Sequence, residues 1–527
     1  MSDDKNSHVV ERHNISGVEV KELGSLEFVH EYGNNGSKPS YQEASGAPVE
    51  NISPLGLEVT SLTTVFLNIG QMIAASILTN VGSVGLAMLY WALGLLISGC
   101  QFAIYTELAS YFPNRSGAEV VYLEQAYPRP KYLLPTTFAV QSVLLSFSSS
   151  NAIVMADYLF AMGGYTPSNW EKKGLAVGTK HSLRISNVVG VIKLLTLVLI
   201  SITGLVVLGG HTSVKNPGAN FNDAFSGTTS NGYGLANALV KINFAYAGYT
   251  NAFNVVAEVK NPIRTIKRTG PASLLVVAVL YILCNVAYFA AIPKKTLKSS
   301  TQLAASLFFT TVFGSKNSVR ALNFLIAVSA FGNIVSVIIG SSRIIRECGR
   351  QGVLPYPRIW ASTRPFGTPL AAYLLKWTLT VLMILAPPAG DAFNFIVDLQ
   401  SYPSNIFLFA LTIGLLLIRR NRKKLGLAND ADFRTWDIAI YFSAAVNVFL
   451  LIMPWYPPPK GRIRQELVVL DGEQAKTHRL VKVKLAELER WDREHDVLGQ
   501  RVEGGRSVGE ESDGTSGNGK GSGEKGE

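Results

Sequence analysis

The sequence predicts an all-α protein that crosses a membrane many times, and three observations carry that prediction. About ten apolar stretches approach the length needed to cross a bilayer core. Hydrophobic residues make up 48% of the 527 and charged residues only 16%, with a mean hydropathy of +0.22. Lys and Arg gather in short segments between the apolar stretches, as the positive-inside bias requires. A net charge of +11 could otherwise point to nucleic acid, but no RNA- or DNA-binding module is legible and no such partner is expected. Cys100, Cys284 and Cys348 have neither metal-ligand nor disulfide-framework spacing and read as reduced packing residues.

In chain order, residues 1–54 are polar, rich in Gly, Ser, Asn and mixed charge. They read as a disordered cytoplasmic tail. Residues 55–456 form the membrane domain, with apolar spans at Glu58–Leu78, Ser83–Tyr111, Leu133–Gly163, Ile185–Gly209, Leu235–Val259, Ala272–Ile292, Ser318–Ile345, Pro369–Leu385, Phe393–Ile418 and Trp436–Met453. Leu303–Phe313 is too short to span and reads as a surface segment. Residues 457–527 are a charged tail with two amphipathic pieces, RQELVVLDGEQ and HRLVKVKLAELERWDREHD, disordered from about residue 500.

The span Leu235–Val259 stands apart. A small, polar patch, Ala245–Asn251, interrupts an otherwise apolar helix. Unpaired backbone at membrane depth is tolerated only where protein encloses it or it lines a cavity. Transporters place substrate at such breaks in paired helices. A lone Gly248 would only permit close helix packing; with Tyr246, Tyr249, Thr250 and Asn251 around it, the patch reads as a binding site.

Between the second and third spans lies YTELASYFPNRSGAEVVYLEQAYPRPKYLLP, a short loop in which Glu107 sits near the membrane edge and is expected to pair with a cation. This stretch resembles the E-L-x-x-x-x-P-x-S-G-G-x-x-x-Y-L signature of amino acid permeases, with Ser116-Gly117-Ala118 where Ser-Gly-Gly is usual and Tyr122-Leu123 matching. FAVQSVLLSFSSSNAIVMADYLF, SNVVGVIKLLTLVLISITGLVVLGGHT, FAYAGYTNAFNVVAEVKNPIRTIK and MPWYPPP narrow the resemblance to the fungal L-type and methionine-permease branch of the amino acid–polyamine–organocation superfamily, over nearly all of Pro54–Trp455.

The resemblance implies a leucine-transporter-type fold of two inverted five-helix repeats plus two further helices, with substrate held at breaks in the first and sixth. The implied sixth-helix site falls on Phe244, Ala245, Tyr246, Ala247 and Gly248, with Tyr249 and Asn251 close by. Its first-helix half falls on Ile73, Ala74, Ala75 and Ser76, and wall residues on Ser149, Asn151, Ser329 and Asn333. Ser and Asn serve equally as interhelical hydrogen-bond partners.

Charge bias also counts crossings. Arg115, Arg129 and Lys131 place one loop inside; Lys260, Arg264, Lys267 and Arg268 place another, followed by Arg343–Arg358 and Arg419–Lys424. These assignments leave one crossing missing between Gly164 and Arg184, where only Gly174–Gly178 is apolar. The fourth family helix is thus largely lacking, a twelfth does not follow Pro457-Pro458-Pro459, and the first span, read as unbroken through Ile69–Leu78, is shortened.

The expected activity is secondary transport of neutral, methionine-like L-amino acids across the plasma membrane, coupled to H⁺ by resemblance, with no cofactor, no metal and no enzymatic motif. A non-transporting amino acid sensor, or a carrier of choline, polyamines or γ-aminobutyrate, are the alternatives. The missing segments predict that this form transports poorly.

Overall fold

A computed structural model describes residues 11–13, 18–23, 26–31, 55–57, 59–71, 77–130, 133–144, 185–212, 214–299, 304–364, 367–385, 392–424, 431–453, 463–469 and 476–482, with single residues at 155, 158, 159 and 162. The chain divides into two compact units, Met1–Tyr456 and Pro457–Glu527.

Among the described residues, five helices are long and apolar enough to cross a membrane: Val84–Tyr111, Val189–Leu208, Pro262–Ala291, Lys316–Arg350 and Tyr402–Lys424. Leu133–Val143, Ala304–Phe313, Leu370–Met383 and Asp437–Ile452 are apolar but shorter. We label the helices α1 (Ser61–Gln71), α2 (Leu78–Val81), α3 (Val84–Tyr111), α4 (Glu119–Ala126), α5 (Leu133–Leu144), α6 (Ile185–Leu208), α7 (Gly232–Tyr246), α8 (Asn251–Asn254), α9 (Pro262–Ala291), α10 (Ala304–Phe313), α11 (Lys316–Arg350), α12 (Leu370–Leu385), α13 (Ala392–Lys424) and α14 (Asp437–Ile452).

The distribution of side chains suits lipid. Leu195 and Ile202 on α6, Leu275 and Val279 on α9, and Ile438 and Tyr441 on α14 face outward, while Asn68, Gln101, Glu107, Arg115, Arg343 and Asn447 are buried. A water-soluble fold exposes charge and buries apolar surface; here buried charges are paired inside an apolar exterior.

One span is visibly interrupted, and another is described only in part. In the first span, α1 covers Ser61–Gln71 and α2 begins at Leu78; Ile77, expected inside an unbroken helix through Ile69–Leu78, is non-helical, and residues 72–76 lie outside the described residues. In the sixth span, α7 ends at Tyr246 and a 3₁₀ turn covers Ala247–Thr250; α8 follows, then a second 3₁₀ turn at Val256–Glu258 and extended backbone at Val259. The 15 residues of α7 reach only about 22 Å, short of the roughly 30 Å hydrocarbon core. The break starts two residues later than the small patch. Ala245 and Tyr246 remain α-helical because Tyr246 is buried against Trp91 and Tyr281, with ring centroids 5.9 and 5.5 Å away.

The structure corrects several sequence boundaries. Pro262 occupies the first turn of α9, where its missing N–H is unpaired anyway. Arg264, Lys267 and Arg268 are thus helical rather than in a loop. Arg343 and Arg346 likewise lie within α11, which runs to Arg350. The short α10 buries Ala305, Phe308 and Phe309 in a core with α9 and α11 rather than lying on the surface. In the N-terminal segment read as disordered, VEVKEL and LEFVHE alternate apolar and polar residues, and strands β1 (Glu11–His13), β2 (Val18–Leu23) and β3 (Leu26–Glu31) pair antiparallel. In the C-terminal unit, β4 (Ile463–Val469) and β5 (Lys476–Lys482) form an antiparallel pair.

Candidate functional site

The loop carrying the permease-like signature is built into the broken span. Ser116 Oγ accepts the Ala257 N–H at 3.2 Å, and the Gly117 N–H donates to the Asn254 carbonyl at 3.1 Å. Gly117 has φ +98°, and a Cβ there would stand 2.9 Å from Glu347 Cβ, so glycine is needed twice over. Ala118 follows with φ 41°, a backbone region in which an L side chain is strained.

Three clusters of buried ion pairs close the Lys/Arg-rich ends of the helices. Glu107 receives both Arg419 Nε and Nη2 at 2.7 Å, together with the Thr435 N–H at 2.6 Å. This supplies the cation expected for Glu107, from a helix more than 300 residues away in sequence. Arg115 lies between Glu347 at 2.7 Å and Glu124 at 2.8 Å. Arg343 holds Glu258 through two bonds, of 2.9 and 3.0 Å, and donates to the Tyr373 hydroxyl at 2.6 Å. Charges this deeply buried persist only when paired.

Above these pairs a cavity of ≈ 210 Å³ opens under the sixth-span break, somewhat below the about 300 Å³ typical of ligand clefts. From α7 and the break come Asn243, Ala247, Tyr249 and Thr250; from α3, Ile97, Ser98, Gln101 and Tyr105. Glu119 of α4, Phe138, Gln141 and Ser142 of α5, Ile344 of α11, Ser404, Phe407 and Leu408 of α13, and Asn447 of α14 complete the wall. Tyr249 stands edge-on to Tyr105, with centroids 5.9 Å apart. The Tyr105 hydroxyl donates to Glu119 Oε1 at 2.5 Å. Burial holds the Glu119 carboxyl above the usual carboxylate range, opposed by that hydrogen bond.

Of the residues expected from sequence, Ala247 and Tyr249 line this cavity. Gly248 is buried within the 3₁₀ turn between them, and Phe244 is half-buried on α7 outside the lining set. Tyr246 donates to the Trp91 carbonyl at 3.2 Å, and the Ala245 carbonyl accepts from Tyr281 at 3.3 Å; both residues brace the break from behind. Asn251 is a tie: its Nδ2 donates to the Leu67 carbonyl at 3.3 Å and the Ser336 carbonyl at 2.9 Å, joining α1, α8 and α11. Ser329, half-buried, and Asn333, buried, lie on α11 outside the lining set. Ile73, Ala74, Ala75, Ser76, Ser149 and Asn151 lie outside the described residues, as does the 164–184 stretch from which the charge count expects a crossing to be missing. The polar wall from α3 was overlooked in sequence, although Ser98, Gln101 and Tyr105 fall at i, i+3 and i+7, one helical face.

The sixth-span break, the cavity beneath it and the loop clasping the break form a single constellation, and comparison with known proteins gives it a family. The profile described as Amino acid permease matches residues 59–470. The chain belongs to the amino acid permease family. This permease is 35% identical over 402 residues to the high-affinity methionine permease of Saccharomyces cerevisiae, an alignment covering 74% of this chain and 70% of that protein. It is 27% identical over 434 residues to the low-affinity methionine permease of the same yeast, covering 77% and 78%. With the cystine/glutamate transporter of Homo sapiens it shares 27% over 408 residues, covering 73% and 78%. The permease is a multi-pass membrane protein whose relatives are transporters rather than enzymes.

Proposed function

We propose that this permease carries neutral, methionine-like L-amino acids across the plasma membrane by secondary transport coupled to H⁺, with substrate bound at the breaks of the first and sixth spans. The observation that carries this reading is the 3₁₀ turn at Ala247–Thr250, packed against α1 of the first span, over a cavity whose wall carries polar side chains. Interrupted helices expose backbone N–H groups and carbonyls of both polarities, which suits a zwitterion's carboxylate and ammonium. The yeast relatives named for methionine favour an uncharged side chain over the choline, polyamine and γ-aminobutyrate alternatives.

The charge count across 164–184 is the reason to expect poor transport: Lys172, Lys173, Lys180 and Arg184 would each cost on the order of 3 kcal/mol at mid-membrane. We therefore expect the 527-residue chain to bind substrate but take it up slowly. Equilibrium binding and vesicle uptake of L-methionine, with an amino acid competition panel and an imposed pH gradient, test the parts separately. Absence of binding refutes the substrate assignment. Uptake indifferent to the pH gradient refutes the coupling ion, and robust, saturable uptake refutes the deficiency.

A further inference from the structure

Among the described residues, three buried oxygens of the cavity wall have no hydrogen-bond donor. Thr412 donates its hydroxyl hydrogen to the Leu408 carbonyl at 2.8 Å, so toward Asn447 it can only accept. Asn447 Nδ2 therefore donates to Thr412 at 3.3 Å, and its Oδ1 is turned to accept Gln101 Nε2 at 3.4 Å. That chain fixes the Gln101 amide and leaves its Oε1 buried without a partner. Tyr105 satisfies Glu119 Oε1, but Glu119 Oε2 is likewise buried and unpartnered. Asn243 Oδ1, on the last turn of α7 before the break, is a third such acceptor. All three residues line the cavity, and Gln101 is only 3% exposed. Buried acceptors without donors are costly, and the remedy is a ligand that brings donors.

The nearby cations are already committed. Arg115 is held by Glu347 and Glu124, Arg343 by Glu258, and Arg419 by Glu107 and Asp437. The titratable groups facing Glu119 are the phenols of Tyr105 on α3, Tyr122 on α4 and Tyr249 on the 3₁₀ turn. α5 and α13 present Gln141, Ser142 and Ser404 to the cavity. Among the described residues, the cavity thus holds one carboxylate, with no cation in its lining and neutral groups around it.

We propose that this cavity is a binding site for a primary ammonium group, with Glu119 supplying the charge and Gln101 a carboxamide oxygen. Resting on the transport reading above, its occupant is the ammonium of the amino acid as it moves from the sixth-span break toward the Lys/Arg-rich side. An NH₃⁺ group offers three donors and no acceptor, which suits a wall with unpartnered oxygens and a carboxylate. A ligand carboxylate would instead meet the like charge of Glu119. Because burial raises the Glu119 carboxyl, acidification protonates it, removes the charge and weakens ammonium binding.

The test uses the purified full-length chain and three probes: L-methionine, 3-(methylthio)propylamine, which lacks the carboxylate, and 3-(methylthio)propanoate, which lacks the ammonium. The amine is expected to bind, with affinity falling at lower pH, and the propanoate to bind far more weakly. Glu119→Gln should weaken amine binding by about 10–100-fold, as loss of a charge-assisted hydrogen bond requires, and abolish its pH dependence. Tyr105→Phe, which keeps the carboxylate, should retain amine binding. Should Glu119→Gln not fold, Gln101→Met removes an acceptor at constant size and should weaken the amine severalfold. Undiminished amine affinity in a folded Glu119→Gln or Gln101→Met chain overturns the proposal. Methionine binding without amine binding also overturns it, while leaving the transport reading intact. Amine binding without methionine binding supports the cavity assignment and refutes the substrate.

Discussion

Replacing Gly340 by alanine should destabilise this permease by about 2–4 kcal/mol, although helix propensity alone predicts a gain of about 1 kcal/mol for the same change. Gly340 lies inside α11, opposite Asn251, which ties α8 to α1 and α11. A Cβ there would stand 1.9 Å from Asn251 Oδ1 and 3.1 Å from both Asn251 Cγ and Asn254 Nδ2. Asn251 must therefore move, and its bonds to the Leu67 and Ser336 carbonyls, at 3.3 and 2.9 Å, break. Each is worth about 1 kcal/mol net, and forcing extra volume into a packed core costs a further 1–3 kcal/mol or so, partly offset by the propensity gain. Thermal unfolding of the purified chain in detergent reads the sign directly. A Tm equal to or above that of the parent would refute the packing argument, because only intrinsic helix propensity would then be at work.

Other substitutions and labels follow from the same contacts. Ala118→Gly removes the strain of a left-handed φ (41°) and should stabilise by about 1 kcal/mol; a lower Tm contradicts it. Arg115→Met removes the cation beside Glu124 and one of the two beside Glu347, which keeps Arg350 at 2.6 Å, and should cost about 1.5–3 kcal/mol, read as loss of folded protein on heating; an unchanged Tm speaks against the ion cluster. In a background lacking the native cysteines, single cysteines placed in 113–131, 351–368 and 425–435 should resist membrane-impermeant reagents applied outside intact cells, and labelling of any one breaks the assigned topology.

Much of the sixth span was legible because AYAGYTN is unlike its apolar flanks. The starting point of the break was not: Tyr246 stays helical through Trp91, a partner 155 positions away. Glu107 announced a cation, but which one depended on packing of α3 against α13. The Lys and Arg residues after Val259 and before Gln351 were read as loops because charge ordinarily marks a loop. Pro262 at a first helical turn and the Arg343–Glu258 pair instead let helices carry them. The cavity's acceptor wall was within reach of sequence reasoning on α3 alone; Glu119, in a loop helix, was not.

The central claim is that the sixth-span break over the cavity is where an amino acid binds, and Gly248 tests it most directly. Gly248 is buried in the 3₁₀ turn between two cavity-lining residues, Ala247 and Tyr249, where a leucine side chain would fill the space a ligand backbone needs. Equilibrium binding of L-methionine to the purified chain should be saturable, and Gly248→Leu should abolish it while leaving a cooperative thermal transition. Unchanged methionine affinity in a folded Gly248→Leu chain would contradict the assignment.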